Sequence, residues 1–379
     1  MTATPTLPAL LPTYAPYPFQ VVRGEGDRIF DDAGRAYWDF YGGHCVCATG
    51  HGHPAVVKAV AGQAGTLLFY SAAASLPVRD AAAAAITAFA GMDSVFFCNS
   101  GAEANENALK VALLLTGRKK LAAFEGGWHG RTLLALSVTD DPKITGPFAD
   151  QLVPCLRLPW GDPAALAAAD FSDVAAVILE PIQSMAGIKT APKAWFQALR
   201  AKCDATGTLL VFDEIQTGMG RLGTPFAAQY YGVRPDLMTS AKGLASGVPM
   251  GAVLMTAAVA SKLKAGDLGS TFGGGPLACA ALLATVGVIG SEGLMANATA
   301  AAARLRKDLA GTAVTEVLGE GLLLGLRCDR AAALKQHLLA AHLLVGGSGD
   351  PTVLRLMPPL NVSAEALDAL VAAIQAFEP

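Results

Sequence analysis

Two runs of this chain, "VAAVILE" at 174–180 and "TLLVFD" at 208–213, are apolar at nearly every position. A strand with one face in water alternates apolar and polar residues, so short runs of this kind call for strands covered on both faces. "SVFF", "KKLAAF" and "PDLMT" read the same way. Between these runs lie segments of helical periodicity, "AEANENALKVALLLTG" and "APKAWFQALRAKCDATG" among them. The alternation predicts an α/β fold, with a mainly parallel sheet between layers of helices.

"TLLALSV" at 132–138 is expected to add another strand, and "GDRIFDDAGRAYWDF" two short strands around an Asp-Asp-Ala-Gly turn. A long helical run near 276–310 is followed by strands in "TEVLGEGLLLGLRC" and "TVLRLMP" and helices in "DRAAALKQHLLAAHLL" and "SAEALDALVAAIQAF". The expected division is an N-terminal segment 1–50 that joins a smaller α+β domain, a large domain 51–285, and the rest of the small domain at 286–379.

Composition narrows the function. The chain has 379 residues, 53% apolar and 16% charged, with net charge −3. That balance supplies no electrostatic footprint for nucleic acid or an anionic membrane, and neither is expected as a partner. The stretch "MTATPTLPALLPTYAPYP" has no basic residue before its apolar part and does not read as a signal peptide. Seven cysteines, at 45, 47, 98, 155, 203, 279 and 328, form no C-x-x-C pair, which fits a reduced, cytoplasmic chain with no metal site. Cys45 and Cys47 beside His44 invite a metal reading, but one intervening residue in a strand would aim the thiols to opposite sides.

In an open parallel sheet, ligands bind outside the carboxyl ends of the strands, and four such ends carry unusual polar residues. "CNSGAEA" puts Ser100, Gly101 and Ala102 at a strand-to-helix turn, either a phosphate cradle on a helix N-terminus or an ordinary serine cap with acidic Glu103 in its first turn. "GGWHGRT" offers Trp128, His129 and Arg131, either packing or a ring to stack on a planar cofactor and a guanidinium to fork a carboxylate. "VFDEIQTG" ends its strand on Asp213, either a cap or a ligand group. "LMTSAKGLASG" sets Lys242 among small apolar residues, where an ammonium is costly unless it is paired, consumed or left in water. "GMGRLG" at 218–223 fits G-x-G-x-x-G, but "DEIQT" separates it from its strand and Pro225 follows, which disfavours a nicotinamide dehydrogenase.

A phosphate cradle, a stacking aromatic, a strand-end acid and a strand-end lysine are together the parts of a pyridoxal phosphate site. From "TYAP" and "VVRGEGDRIFDDAGRAYWDF" through "GHGHP", "FFCNSGAEANENALKVA", "HGRT", "EPIQ", "VFDEIQTGMGRLG", "YGVRPDLMTSAKGL", "STFGGGPLACA" and "VLRLMPPLNVS", the chain resembles the class III pyridoxal-phosphate-dependent aminotransferases. The resemblance implies fold type I, pyridoxal 5'-phosphate as cofactor, and a homodimer. It makes Lys242 the Schiff-base lysine and Asp213 the partner of the pyridine nitrogen. Ile215 and Trp128 fall on the two ring faces, with Gln216 near the phenolic oxygen. Ser100, Gly101 and Ala102 fall on the phosphate loop, and Thr271, with Ser270, reaches the phosphate of the neighbouring subunit. Arg131 matches the arginine for the donor's distal carboxylate, and Arg355 the one for the α-carboxylate of 2-oxoglutarate.

The reaction so implied moves the terminal amine of an acylated ornithine such as N-acetylornithine to 2-oxoglutarate. N-succinylornithine, a carrier-linked lysine, 4-aminobutyrate and ornithine fit the same motifs. One departure stands out: many relatives carry a glutamate where this chain has Met185, and a methionine cannot pair with Arg355, which is therefore expected to be paired differently or left open. His44, near the expected substrate entrance, reads as a packed loop histidine or a substrate contact.

Overall fold

The computed structural model describes residues 9–11, 13, 14 and 16–377. Most of the N-terminal stretch considered as a possible leader, and Ala15 of "TYAP", lie outside them. Three strands open the chain, β1 (Val21–Glu25), β2 (Arg28–Asp31) and β3 (Ala36–Asp39), each pairing antiparallel with the next. Seven strands build the central sheet: β4 (Ser94–Cys98), β5 (Lys120–Phe124), β6 (Cys155–Leu158), β7 (Val174–Leu179), β8 (Leu209–Asp213), β9 (Leu237–Ser240) and β10 (Gly251–Met255). Their order is β4-β10-β9-β8-β7-β5-β6, with β10 antiparallel to both neighbours and the ladders from β9 to β6 parallel.

Every residue of β7 is buried. Alternate side chains go to opposite faces: Val177, Leu179, Leu210 and Phe212 join one apolar cluster, and Ile178 and Val211 join another that also holds Leu109 and Ala112 of the helix Gly101–Thr116. The continuous apolar runs are therefore what a sheet covered on both sides requires.

The C-terminal region adds β11 (Glu316–Glu320), β12 (Leu323–Arg327), β13 (Leu343–Leu344) and β14 (Val353–Leu356). Strands β11, β12 and β14 form an antiparallel sheet, while β13 pairs parallel with β3 of the N-terminal meander. No single helix among the described residues is long and apolar enough to cross a membrane; the pair Pro276–Ser291 and Leu294–Asp308 reaches that composition only together, across a 60° bend.

Three local expectations change. "TLLALSV" is a helix, Leu133–Val138, because the Glu106 carboxylate of the neighbouring helix accepts the N–H groups of Leu134 (3.0 Å) and Ala135 (3.1 Å) in its first turn. Strands β6 and β10 were missing from the sequence reading: "CLRL" is short and interrupted by Arg157, and "GAVLM" lies close behind the lysine loop. "GGHC" is a turn instead of a strand, with φ of +57 to +67° from Gly42 to Cys45. In non-glycine His44 and Cys45 that left-handed backbone is costly and is held by its surroundings. The two thiols still diverge, Cys45 towards the Gln216 carbonyl (3.7 Å) and Cys47 towards His51 Nδ1 (3.5 Å). Among the described residues no group of three or more His, Cys, Asp or Glu side chains is placed to hold a metal ion.

His51 ties the meander to the loop that follows it, exchanging backbone hydrogen bonds with Gly26 and facing Asp39 Oδ2 at 2.7 Å. Burial pushes its imidazole down, but the hydrogen bonds to Asp39 and Cys47 prevail and lift the pKa to about 10. A raised folded-state pKa contributes stability fully below the ordinary histidine value, and that contribution is lost as pH climbs through about 10. His51→Gln is thus expected to cost about 1–2 kcal/mol at pH 6 and clearly less at pH 10.5, read by urea unfolding. An equal loss at both pH values would remove the charge from this account.

Candidate active site

The carboxyl ends of β5, β7, β8 and β9 open on one edge of the sheet, where a cavity of about 530 Å³ is lined by nine predicted residues. These are Ser100, Gly101, Ala102, Trp128, Arg131, Asp213, Ile215, Gln216 and Lys242. Two short buried strands deliver the acid and the lysine: β8 ends on Asp213, and Lys242 follows the end of β9, its neighbour in the sheet.

Asp213 is buried and fully engaged. Its Oδ2 accepts from Asn105 Nδ2 (2.7 Å) and His129 Nδ1 (2.8 Å), and its Oδ1 accepts from the Ile215 N–H (3.2 Å). The Ile215 contact is that of a local cap, while the other oxygen is held by a helix residue and a loop residue beside the cavity. Asn105 also donates to the His129 carbonyl (2.7 Å) and accepts from Thr239 Oγ1 (2.7 Å), so a helix, a loop and two strands orient one carboxylate. His129 Nε2 is buried without a hydrogen-bond partner.

Lys242 is partly buried and carries φ +40°, a left-handed conformation rare outside glycine. Desolvation lowers its pKa from the ordinary lysine value, against the attraction of Asp213, Cys45 and Glu180, which favours a neutral, nucleophilic amine. Glu180, which ends the β7 run as Asp213 ends β8, accepts from the Trp128 N–H (2.9 Å) and the Ser184 N–H (3.3 Å). Burial lifts its carboxyl to about 7, with His129 opposing and Asp213 adding to the rise.

At the other end of the cavity, Ser100 caps the helix Gly101–Thr116, its Oγ accepting from the Glu103 N–H at 3.1 Å. The Glu103 carboxylate turns back onto the Asn99 N–H (2.7 Å), and with the Glu103 N–H on Ser100 Oγ the Gly101 and Ala102 N–H groups are left for an anion. A Cβ at Gly101 would come within 2.7 Å of Ile215 Cδ1, so the isoleucine would have to shift.

Comparison with known proteins follows this geometry. A family model described as aminotransferase class III matches residues 11–377. The chain belongs to the class III aminotransferases. It is 43% identical over 372 residues to the acetylornithine aminotransferase of Streptomyces coelicolor, covering 96% of this chain and 92% of that one. To the acetylornithine aminotransferase of Methanopyrus kandleri it is 41% identical, over 95% of this chain and 94% of the relative. Among solved structures, it is similar to the ornithine aminotransferase of Toxoplasma gondii, with TM-score 0.91 and 30% identity over 97% of this chain and 91% of that one.

As a class III aminotransferase the protein is a pyridoxal-phosphate-dependent enzyme with a fold type I large sheet, and the nicotinamide reading is dropped. "GMGRLG" runs through turns to a helix that starts only at Ala227. The cavity fits the cofactor: free helix N–H groups and Ser100 for the phosphate, an oriented acid for the ring nitrogen, flat or branched side chains at Trp128 and Ile215 for the ring faces, and one primary amine.

Three predicted residues of this aminotransferase lie outside the cavity lining. Ser270 is at its rim, where its Oγ accepts from Asn99 Nδ2 (3.2 Å). Thr271 is exposed beside Phe272, which is 64% exposed. Arg355 on β14 is buried, donating from Nε to the Gly347 carbonyl (2.6 Å) and from Nη1 to Ser184 Oγ (2.9 Å). Among the described residues no carboxylate forms an ion pair with it, as the methionine at 185 led us to expect. His44 packs on Tyr41 and on Tyr14, which lines the cavity, and burial with the charges of Lys242 and Arg355 lowers its pKa. Sequence reasoning missed Asn105, Glu180 and Ser184. Asn105 lies four positions after Gly101 and so on the same helix face, and Glu180 ends an apolar strand as Asp213 does, two signals that could have found them.

Proposed function

We propose that this chain moves the terminal amine of N-acetylornithine to 2-oxoglutarate, giving N-acetylglutamate semialdehyde and glutamate in two half reactions. The observation that carries the reading is a lowered-pKa Lys242 facing a fully oriented Asp213 in one cavity, with Arg131 at its wall and unpaired Arg355 behind it. The acetylornithine aminotransferases at 43% and 41% identity favour N-acetylornithine over N-succinylornithine, a carrier-linked lysine, 4-aminobutyrate or ornithine.

Bound pyridoxal phosphate supplies an aldehyde that takes up an amine and a ring that accepts the electrons of a substrate carbanion. Lys242 Nζ would hold the cofactor and would serve as the base for the proton on the terminal carbon of the donor. Asp213, fixed by His129 and Asn105, would keep the pyridine nitrogen protonated. Ser100, Gly101 and Ala102 would receive the phosphate, Trp128 and Ile215 would confine the ring, and Gln216 would serve its phenolic oxygen. Arg131, with its Cζ 5.4 Å from the Trp128 ring centroid, receives the donor's carboxylate. Arg355 receives the α-carboxylate of 2-oxoglutarate.

The same reading has Ser270 and Thr271 completing the phosphate site of a second copy in a homodimer. Leu68, Phe69, Tyr70 and Phe272, all exposed, support it, with the Phe69 and Phe272 rings 5.1 Å apart beside Thr271. It also has segments 1–50 and 286–379 forming the smaller domain around 51–285, supported by the β3–β13 ladder. A cytoplasmic location fits the seven unpaired cysteines.

The test is a panel of ω-amino donors against 2-oxoglutarate, run with the natural chain and with Arg131→Ala. N-acetylornithine should exceed ornithine and 4-aminobutyrate in kcat/KM by on the order of 10–100-fold. Arg131→Ala should raise the donor KM about 10–100-fold and leave cofactor affinity unchanged. Higher kcat/KM with ornithine would overturn the donor assignment, and an unchanged donor KM in the variant would remove Arg131 from the site.

A further inference from the structure

Ser184 is fully buried, and its hydroxyl touches two predicted site residues that lie on different parts of the fold. Its Oγ is 2.9 Å from Arg355 Nη1 and 3.0 Å from Gln216 Oε1. A guanidinium can only donate, so at Arg355 the serine oxygen must accept. The single hydroxyl proton then goes to Gln216 Oε1 at 3.0 Å, since the other acceptor within reach, Met357 Sδ at 4.0 Å, is a weak one. An amide whose oxygen is turned to Ser184 presents its NH2 elsewhere, and Gln216 lines the cavity. The polarity of the whole chain is therefore imposed at its far end by a residue that has no acceptor.

From this geometry we infer that Ser184 is a positioning residue, a neutral relay that holds Arg355 ready for a substrate carboxylate while turning the Gln216 amide so that it donates towards the cofactor's phenolic oxygen. The inference rests on the assignment of Arg355 and Gln216 proposed above. It also gives the methionine at 185 a consequence. Arg355 is steadied by a hydroxyl and the Gly347 carbonyl, both neutral, so its charge stays available in both half reactions and no acid needs to be displaced. The charged and titratable groups that face this relay are Tyr41, His44, Cys45, Glu180 and Lys242. Among these, Glu180 is tied to the same segment through the Ser184 N–H, so the loop backbone and the hydroxyl are oriented together.

The test uses the enzyme loaded with pyridoxal phosphate and titrated with glutarate, which has two carboxylates but neither amine nor oxo group to react. Ser184→Ala should weaken glutarate binding about ten-fold, the effect of one hydrogen bond to a charged group. It should also move the pH midpoint of the cofactor's visible band upward by about half a unit, since a donor to the phenolate is loosened. Ser184→Thr, which keeps the hydroxyl, should return both readings to within about two-fold of the natural chain. Gln216→Leu leaves Ser184 and Arg355 in place and should shift the band without the loss of glutarate affinity. Unchanged glutarate affinity and band in Ser184→Ala, a threonine variant as impaired as the alanine one, or an unmoved band in Gln216→Leu would each overturn the relay. If the natural chain forms no visible band with the cofactor, the site assignment itself falls and takes the relay with it. A natural chain that binds both ligands beside an unresponsive Ser184→Ala sinks the relay alone.

Discussion

Replacing Lys242 by alanine is expected to lower multiple-turnover transamination by on the order of 10⁴-fold or more and to abolish the visible band of the lysine-linked cofactor. Among the described residues Lys242 is the one lysine lining the cavity, and no neighbouring amine there can take over the link or the proton transfer. Stability should move the other way or not at all. Burial depresses the lysine's pKa, which means the fold is working against its charge, and alanine removes that cost while keeping the Cβ in the strained turn. The measurements are cofactor absorbance, steady-state turnover and the melting temperature of the cofactor-free chain. Full multiple-turnover activity in the variant would end the assignment of Lys242. A sharp drop in melting temperature would show that the residue has a structural role as well.

Asp213→Asn should reduce kcat/KM on the order of 10²–10³-fold, the range found for removing one preorganised charge at a reacting centre. The amide can no longer hold a proton on the ring nitrogen by its charge, although its size is unchanged. The substitution should also destabilise the fold by about 1–3 kcal/mol, for a reason visible in the geometry. Asp213 accepts from three donors with two oxygens: Asn105 Nδ2 and His129 Nδ1 on one, the Ile215 N–H on the other. An asparagine has a single oxygen, so whichever way it turns, its NH2 meets a donor at the abandoned position. Turnover kinetics and urea unfolding would be read side by side. An Asp213→Asn enzyme with kcat/KM within about three-fold of the natural chain would mean that the carboxylate only builds the loop.

Much of this architecture is legible in the chain because it depends on nearest-neighbour physics. Buried parallel strands must be apolar throughout, which marks β7 and β8, and the residues that end them or follow β9 fall on the ligand edge whatever else the fold does. Where a contact from another element decides, sequence reasoning fails. Leu133–Val138 reads as a strand and folds as a helix because a carboxylate from the helix Gly101–Thr116 satisfies its first turn. Asn105, His129 and Thr239 lie far apart in the chain and look like ordinary helix, loop and strand residues until they meet around Asp213.

The chain alone therefore determined the α/β class and marked the strand ends that carry Asp213, Lys242 and the Ser100 turn. Each of these follows from the periodicity of a single element or the residue at its end. Only the tertiary structure decided how those groups are held: Asp213 by three donors, Arg355 by a hydroxyl in place of an acid, and Gln216 with its oxygen turned to Ser184. The physical reason is that hydrogen-bond direction and burial depend on which elements pack together, and that is a property of the assembled fold, absent from any one segment.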